Sequence, residues 1–208
     1  MISWVFDFDG VIADTMAPLI NFIVKSMGVS PQRAALWVTG YGMVNKPRKL
    51  FSGIRRGQNQ RFHEYLLNTE PENLQNFEVL EIIQALPGPK YILTSNYDST
   101  CRLILGSKAA IFEDIISFSE VENKTQGLKY LQQKYKINSQ NTIMITDTIG
   151  DILEFQDLKI PTHLIYGVTW GYHSGGLMHK YISPSQILHS YTDLLTIPTT
   201  LDILGKVE

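Results

Sequence analysis

The sequence predicts an α/β fold, a doubly wound parallel sheet with a helical domain inserted after the first strand. Five short apolar runs are typical of strands, and after residue 88 these runs alternate with helical patterns. Such alternation implies parallel pairing through right-handed crossovers and a sheet covered on both faces. Between Thr15 and Pro87 the patterns are helical only, over a length too great for a simple crossover. We therefore expect a core domain of residues 1–14 and 88–208 and a helical cap domain of residues 15–87.

The first part of the chain contains one predicted strand and a series of helices. The strand is predicted at residues 3–8, and a helix follows at about residues 17–27, with Gly28 as its stop signal. Ser30 before Pro31 predicts the next helix start, because serine is a favoured N-cap and proline a favoured first helical residue. Two more helical stretches are predicted at about residues 58–67 and 77–86.

Strands recur from Lys90 onward. Short apolar runs predict strands at residues 91–94, 115–118, 142–146 and 163–168. Helical patterns lie between them, at residues 102–105 and 126–135. These elements complete the predicted sheet.

Composition narrows the class of partner. The chain has 208 residues, 44% of them hydrophobic and 18% charged, which suits a globular protein with a substantial core. A formal charge of −2 gives no field for nucleic acid or anionic lipid, so we expect a small-molecule partner. The only cysteine, Cys101, can form no intrachain disulfide. We find no signal-peptide pattern and no apolar run of the ~20 residues that cross a bilayer, so a cytoplasmic location is expected and the oligomeric state is left open.

Two carboxylates one residue apart end the first apolar run. Asp7 and Asp9 follow it directly, and Gly10 permits the backbone to turn out of the sheet. Side chains at i and i+2 share one face of an extended chain, so this pair is expected to project together. The pattern suits metal-assisted phosphoryl transfer, in which one carboxylate attacks phosphorus and binds a cation while the other exchanges a proton with the leaving oxygen.

Three later segments carry polar residues after predicted strands or at a predicted helix start. Thr94, Ser95 and Asn96 follow one strand and could hold phosphate oxygens, or Ser95 or Asn96 could only cap the next helix. Lys124 could pair with a nucleophilic carboxylate and a phosphate, or be a solvated side chain. Asp147 and Asp151 follow the strand at 142–146 and offer the oxygen ligands that Mg²⁺ prefers, or one of them could be a helix cap.

The order of these segments resembles the four motifs of the haloacid dehalogenase superfamily, in its phosphoglycolate phosphatase-like branch with a helical cap. The resemblance implies a Rossmann-like core in which the strands before Asp7, Thr94 and Asp147 lie side by side, with the site at the carboxyl edge of the sheet. It further implies roles for eight residues: nucleophile Asp7, acid/base Asp9, phosphate-binding Thr94, Ser95, Asn96 and Lys124, and Mg²⁺ held by Asp7, Asp9, Asp147 and Asp151. A free aspartate has a pKa of ~3.9, so we expect Asp7 to be ionised. Two positions depart from the pattern, Thr125 where many relatives have proline and Thr146 where they often have glycine.

Further aromatic, histidine and basic residues are candidates for a role in the site. Residues 167–172 resemble a segment after the last core strand of the same branch, so Trp170 and Tyr172 either border the site or pack the sheet edge. The histidines lack metal-ligand spacing and receive no role: His63, His163, His173, His179 and His189. Sixteen residues of the cap, 46–61, contain a basic cluster and no acid: Lys46, Arg48, Lys49, Arg55, Arg56 and Arg61. This cluster is either a solvated face or a site for a second anionic group, and Arg48 and Arg55 are the candidates for binding that group.

The leading functional hypothesis is a Mg²⁺-dependent phosphatase that acts on a small phosphorylated metabolite, such as phosphoglycolate, through an aspartyl-phosphate. A phosphomutase with the same motifs is the first alternative, because transfer to a sugar hydroxyl needs no new core residue. A non-catalytic phosphate-binding protein is the second. A dehalogenase is disfavoured, because that chemistry does not need an acid/base at Asp9.

Overall fold

A computed structural model gives the architecture of the chain and describes residues 2–39, 52–68, 70–117 and 119–197. Six parallel strands form one sheet in the order β3-β2-β1-β4-β5-β6. The strands are β1 Ser3–Phe6, β2 Lys90–Leu93, β3 Asp114–Ile116, β4 Thr142–Thr146, β5 Ile165–Val168 and β6 Ile187–Leu188. Strand order reverses at β1, as in a doubly wound sheet, so the predicted fold class is confirmed.

Helices connect the strands. They are α1 Met16–Met27, α2 Pro31–Val38, α3 Ser52–Leu67, α4 Phe77–Ala85, α5 Asp98–Leu105, α6 Lys124–Tyr135, α7 Ile149–Asp157 and α8 Gly175–Met178. Short 3₁₀ segments lie at Pro71–Leu74, Gly106–Ile111, Ser139–Asn141, Thr162–Leu164, Pro184–Gln186 and Tyr191–Thr196. No described helix is long and apolar enough to cross a membrane.

Burial on both faces explains the apolar strands. Every residue of β1, β2, β4 and β5 is buried, because helices cover both sides of a parallel sheet. Strand β1 ends at Phe6, two residues earlier than predicted, because Asp9 already bridges to Ala13 in a tight loop. The two-residue strand β6 was not predicted, since two residues are too few to show a period of two.

The predicted end of α1 at Gly28 and the predicted start of α2 at Ser30 are both found in the structure. Gly28 ends α1 in the left-handed region, at φ 63°, where glycine is favoured. The Ser30 hydroxyl accepts a hydrogen bond from the Arg33 amide and caps α2. These local interactions need no tertiary support.

Between β1 and β2 the described residues form helices joined by loops, and no strand is found among them. Helices α1 and α3 meet through the rings of Phe22, Phe62 and Tyr65. Helix α4 contributes buried side chains to the same hydrophobic cluster as the strands. The division into a core and a cap of residues 15–87 stays a prediction, and among the described helices of that segment α4 is the one with side chains in the hydrophobic cluster of the strands.

Candidate functional site

The carboxyl ends of three neighbouring strands carry the site. Asp7, Thr94 and Asp147 are the residues that directly follow β1, β2 and β4, and β1 lies between β2 and β4. Backbone hydrogen bonds extend the sheet by one step, from the Asp7 amide to Ile145 and from the Thr94 amide to Ile116. The predicted side-by-side placement is therefore what the sheet order produces.

Lys124 links two carboxylates. Its Nζ lies 2.7 Å from Asp7 Oδ2 and 2.6 Å from Asp151 Oδ2, and the residue is only 5% exposed. It is the first residue of α6, which Asn123 caps by accepting a hydrogen bond from the Gln126 amide. Helix α6 can approach the sheet because Gly127 has no Cβ, which would overlap Leu93. The alternative of a solvated lysine is wrong.

The charges of this group are strongly coupled. Burial raises the pKa of Asp7 well above its ordinary value, and Lys124 only partly opposes this. For Asp151, burial would raise the pKa, but the Lys124 ammonium and the hydrogen bonds from Lys124 and Thr146 outweigh it and lower the pKa to about 2. Burial would lower the pKa of Lys124, but the two carboxylates raise it, so the ammonium stays charged. The expectation that Asp7 is ionised because a free aspartate is ionised was therefore too simple, since its burial must be offset by nearby positive charge.

Asp7 is held in one orientation. Its Oδ1 accepts a hydrogen bond of 2.8 Å from the Phe8 amide while Oδ2 contacts Lys124. Gly10, at φ 77°, turns the chain back, and its amide donates to the Ala13 carbonyl. The loop after β1 therefore aims the carboxylate from a rigid support.

Asp147 is the most deeply buried acid of the site. It has no exposed surface, and burial raises its pKa to about 7. Its Oδ2 accepts a hydrogen bond of 2.7 Å from the Tyr172 amide. A Cβ at Gly10 or Gly171 would overlap this carboxylate, so both glycines let the backbone close around it. Its Oδ1 is the one buried side-chain oxygen or nitrogen without a hydrogen-bond partner within the described ranges.

An unpartnered buried carboxylate oxygen is costly unless a cation or a proton meets it. The acids around it supply oxygen ligands only, which fits Mg²⁺ with several retained waters better than Zn²⁺. In the described part of the chain no three His, Cys, Asp or Glu side chains form a preassembled metal cage. Lys124 contacts one oxygen of Asp7 and one oxygen of Asp151.

Asp9 is held by a second group of side chains. Asn96 Nδ2 donates to Asp9 Oδ1 at 3.1 Å, and the Thr15 hydroxyl also bonds to this carboxylate. Tyr172 Oη lies 2.7 Å from Thr15 Oγ1. Burial raises the pKa of Asp9, and the hydrogen bonds from Thr15 and Asn96 oppose the rise only in part. A carboxyl with a raised pKa, held at a fixed place, is suited to proton transfer.

The loop after β2 orders the amides near this acid. Thr94 Oγ1 accepts a hydrogen bond from the Asn96 amide, and Asn96 Oδ1 accepts one from the Tyr97 amide. The N-cap of α5 is Tyr97, whose side chain makes no capping bond. Asn96 therefore links this loop to Asp9, and the alternative of a simple helix cap does not describe it. Ser95 lies in the same loop, between Thr94 and Asn96.

Several residues of the site were missed or left open by the sequence. Thr15 precedes α1, but its hydroxyl does not cap that helix and instead faces the site. The only sequence feature that could have indicated this role is its position directly after the loop that carries Asp7 and Asp9. Tyr172 both borders the site and is buried, whereas Trp170 packs on Tyr191 and donates to the Val11 carbonyl. His173 Nδ1 accepts a hydrogen bond from the Ile149 amide and supports the turn between Asp147 and Asp151.

The predicted basic cluster is mostly beyond what the structure describes. Lys46, Arg48 and Lys49 lie outside the described residues, and so do the side chains of Arg55 and Arg56 in α3. Arg61 is exposed. A contact between this cluster and the site stays a prediction.

Comparisons with known proteins agree with this geometry. A family model described as haloacid dehalogenase-like hydrolase matches residues 4–165. A haloacid dehalogenase-like hydrolase from Streptococcus pneumoniae is similar in structure, with a TM-score of 0.70 and 21% identity over 94% of this chain and 97% of that one. A predicted phosphoglycolate phosphatase from Haemophilus somnus has a TM-score of 0.65 and 18% identity, over 95% of this chain and 98% of that one. CbbY from Rhodobacter sphaeroides, solved in complex with phosphate, has a TM-score of 0.57 and 14% identity, over 93% of this chain and 96% of that one. No curated protein matches in the corresponding comparison.

Proposed function

Because the chain belongs to the haloacid dehalogenase-like hydrolase family, we propose that it is a Mg²⁺-dependent phosphatase that hydrolyses a small phosphorylated metabolite through an aspartyl-phosphate. One observation carries the proposal. The buried Lys124 ammonium contacts Asp7 and Asp151 at the sheet edge, beside the unpartnered oxygen of Asp147. A nucleophile, a fixed positive charge and an unpartnered carboxylate oxygen are thus collected in one place.

In the first step a carboxylate oxygen of Asp7 forms a bond to phosphorus, and the bond from phosphorus to the ester oxygen breaks. The proton that the leaving oxygen needs comes from Asp9, whose pKa is raised by burial. Lys124 offsets the repulsion between the anionic nucleophile and the anionic phosphoryl group. Thr94, Ser95 and Asn96 are the proposed phosphate-binding residues, and the Thr94 hydroxyl, which accepts a hydrogen bond from the Asn96 amide, keeps its own hydrogen to donate to a phosphoryl oxygen.

In the second step water attacks the aspartyl-phosphate. Asp9, now ionised, takes the proton of that water, and the bond between phosphorus and Asp7 breaks. Phosphate leaves, Asp7 is restored, and Asp9 again carries a proton. Asn96 and Thr15 hold Asp9 in one place during both transfers.

Asp7, the Asp9 carbonyl, Asp147 and Asp151 are the groups that would hold Mg²⁺. When bound, the ion supplies positive charge that favours ionised Asp7 and stabilises the transferred phosphoryl group. The orphaned Asp147 Oδ1 is the observation on this chain that fits such an ion.

The substrate is proposed to be a phosphomonoester with a second anionic group, such as phosphoglycolate. Arg48 and Arg55 are the proposed partners of that group, because guanidinium binds carboxylate in a bidentate manner. Arg48→Ala and Arg55→Ala should then lower kcat/KM on the carboxylated substrate by roughly ten- to a hundredfold, and much less on p-nitrophenyl phosphate. Equal losses on both substrates, or none for any of the six basic residues, would leave substrate choice to other parts of the cap.

A phosphate-release screen tests the proposed function. Purified protein with Mg²⁺ is offered a panel of phosphorylated metabolites that includes phosphoglycolate and hexose phosphates, and both free phosphate and the organic product are measured. We expect free phosphate in equal amount to the dephosphorylated product. An isomerised hexose phosphate without free phosphate would point to a phosphomutase, and no turnover of any compound would favour phosphate binding without catalysis.

A further inference from the structure

The Lys124–Asp151 ion pair is supported by a buried hydroxyl. Thr146 Oγ1 donates to Asp151 Oδ2 at 2.9 Å, the same oxygen that Lys124 Nζ contacts at 2.6 Å. The hydroxyl also accepts a hydrogen bond from the Thr148 amide, so both its donor and an acceptor site are used. Thr146 has no exposed surface. The oxygen of Asp151 that faces Lys124 is therefore selected by a side chain that cannot reorient without losing a partner.

A second contact ties the helix of Lys124 to the helix of Asp151. The amide and the hydroxyl of Thr125 both donate to Glu154 Oε1, each at 2.9 Å. Thr125 follows Lys124 at the start of α6, and Glu154 lies three residues after Asp151 in α7. The carboxylate of Glu154 thus satisfies a free amide at the N-terminus of α6, where negative charge is also favoured by the helix dipole.

These contacts bear on the position of one ammonium group. The lysine side chain has four rotatable carbon bonds, and its Nζ must remain between two carboxylates while a phosphoryl group enters. A displacement of about 1 Å at such a group can cost as much as a hundredfold in rate. Thr146 sets the acceptor oxygen, and the Thr125–Glu154 contact sets the distance between the two helices that carry the pair.

We propose that Thr146, Thr125 and Glu154 are positioning residues that hold the Lys124 ammonium at the place where it meets the transferred phosphoryl group. The inference rests on the proposed phosphatase function for its activity readout. Its geometric content, a restrained Lys124 ammonium, does not depend on turnover.

The experiment uses full-length protein with Mg²⁺ and variants that remove or keep single hydrogen bonds. Thr146→Val removes the hydroxyl in the same shape, and Thr146→Ser restores it. Glu154→Ala removes the acceptor, and Glu154→Gln keeps an acceptor oxygen. Thr142→Val is the matched control, since Thr142 is equally buried at the other end of β4 and its hydroxyl bonds to the Asn138 carbonyl.

Two quantities are measured on each variant. Steady-state kinetics give kcat and KM on the best substrate of the screen. Nitrogen-15 NMR of the lysine side chains observes the ammonium protons of Lys124, identified by their loss in Lys124→Arg, and reports whether this group is restrained and protected from exchange. Thermal denaturation of all variants separates general destabilisation from these effects.

We expect Thr146→Val and Glu154→Ala to lower kcat/KM by about tenfold, mainly through kcat, and to broaden or remove the Lys124 ammonium signal. Thr146→Ser and Glu154→Gln should recover most of both. Thr142→Val should leave both unchanged even if it lowers the melting temperature.

The inference is overturned if Thr146→Val and Thr142→Val behave alike, or if the variants lose thermal stability while the ammonium signal stays as in the wild type. If the wild type shows no phosphatase activity, but the signal is lost in Thr146→Val and kept in Thr142→Val, the proposed function fails and the positioning of Lys124 stands.

Discussion

Two buried lysines at opposite edges of the sheet differ in what surrounds them. Lys124 is 5% exposed at the carboxyl edge, where two carboxylates raise its pKa. Lys90 is 9% exposed at the amino edge, where β2 begins; its Nζ donates to the Gly88 carbonyl, and burial lowers its pKa. Among the described residues no ion pair to Lys90 occurs. Burial of a lysine is therefore not by itself a sign of a site; the partners at the carboxyl edge are.

The largest expected effect is at the nucleophile. Asp7→Asn is nearly isosteric, so the fold should remain, but phosphate release should fall by about 10³-fold or more because an amide cannot form the aspartyl-phosphate. Steady-state phosphate release and circular dichroism measure the two quantities. Asp14→Asn, an exposed acid of the same loop, is the control and should keep activity. Turnover of Asp7→Asn within tenfold of wild type would end the covalent mechanism.

Replacing each lysine by methionine tests the comparison directly. Lys124→Met should lower kcat/KM by about 10²- to 10³-fold, because the charge at the phosphoryl site is lost. It should also reduce the free energy of unfolding of the metal-free protein by about 3 kcal/mol, since it leaves buried acids unpaired.

Lys90→Met should leave kcat/KM unchanged and keep or increase the free energy of unfolding, because a buried charge that forms no ion pair with the described residues is removed. Urea denaturation gives the free energy of unfolding of both variants, and steady-state kinetics give their kcat/KM. Comparable losses of activity in the two variants would contradict the view that partners and not burial define the site.

We expect the activity to require Mg²⁺ and the binding of Mg²⁺ to require Asp147. EDTA should stop activity and Mg²⁺ should restore it in the wild type. Mg²⁺ should raise the melting temperature of the wild type but not of Asp147→Asn, which in EDTA should be more stable than the wild type because an unpartnered buried carboxylate is gone. Full activity after exhaustive chelation, or a requirement for Zn²⁺, would contradict the proposed ion.

The smallest expected effect is at Tyr172. Tyr172→Phe removes the hydroxyl that meets Thr15 and should reduce kcat by about two- to tenfold, the range of one hydrogen bond. Tyr166→Phe, at another buried tyrosine on β5, is the control and should change kcat little. If both variants behave alike, the contact with Thr15 does not help to hold Asp9.

The positions where the chain departs from the family pattern acquire a physical reason in the structure. Thr125 offers an amide hydrogen that proline would lack, and Glu154 accepts it. Thr146 offers a hydroxyl that glycine would lack, and Asp151 accepts it. The sequence alone showed only that two motifs were imperfect, because neither acceptor is adjacent in the chain to its donor.

The sequence predicted helices and strands well where a short stretch of neighbouring residues is enough to fix the backbone conformation. The apolar runs, the Ser30–Pro31 helix start and the Gly28 stop all act within a few residues, so pattern and propensity were enough. They were insufficient for the exact end of β1 and for β6, which depend on a loop bridge and on pairing with β5.

The sequence by itself determined which acids, hydroxyls and lysine follow the strands, and the crossover rule for parallel strands placed them at one edge of the sheet. Only the tertiary structure decided which of them touch. Lys124 meets Asp7 across 117 residues of chain, Thr15 meets Tyr172 across 157, and the Asp147 carboxylate is enclosed because Gly10 and Gly171 let the backbone approach it. Such contacts, and the pKa shifts they cause, arise from burial and close approach between distant segments, which no local pattern encodes.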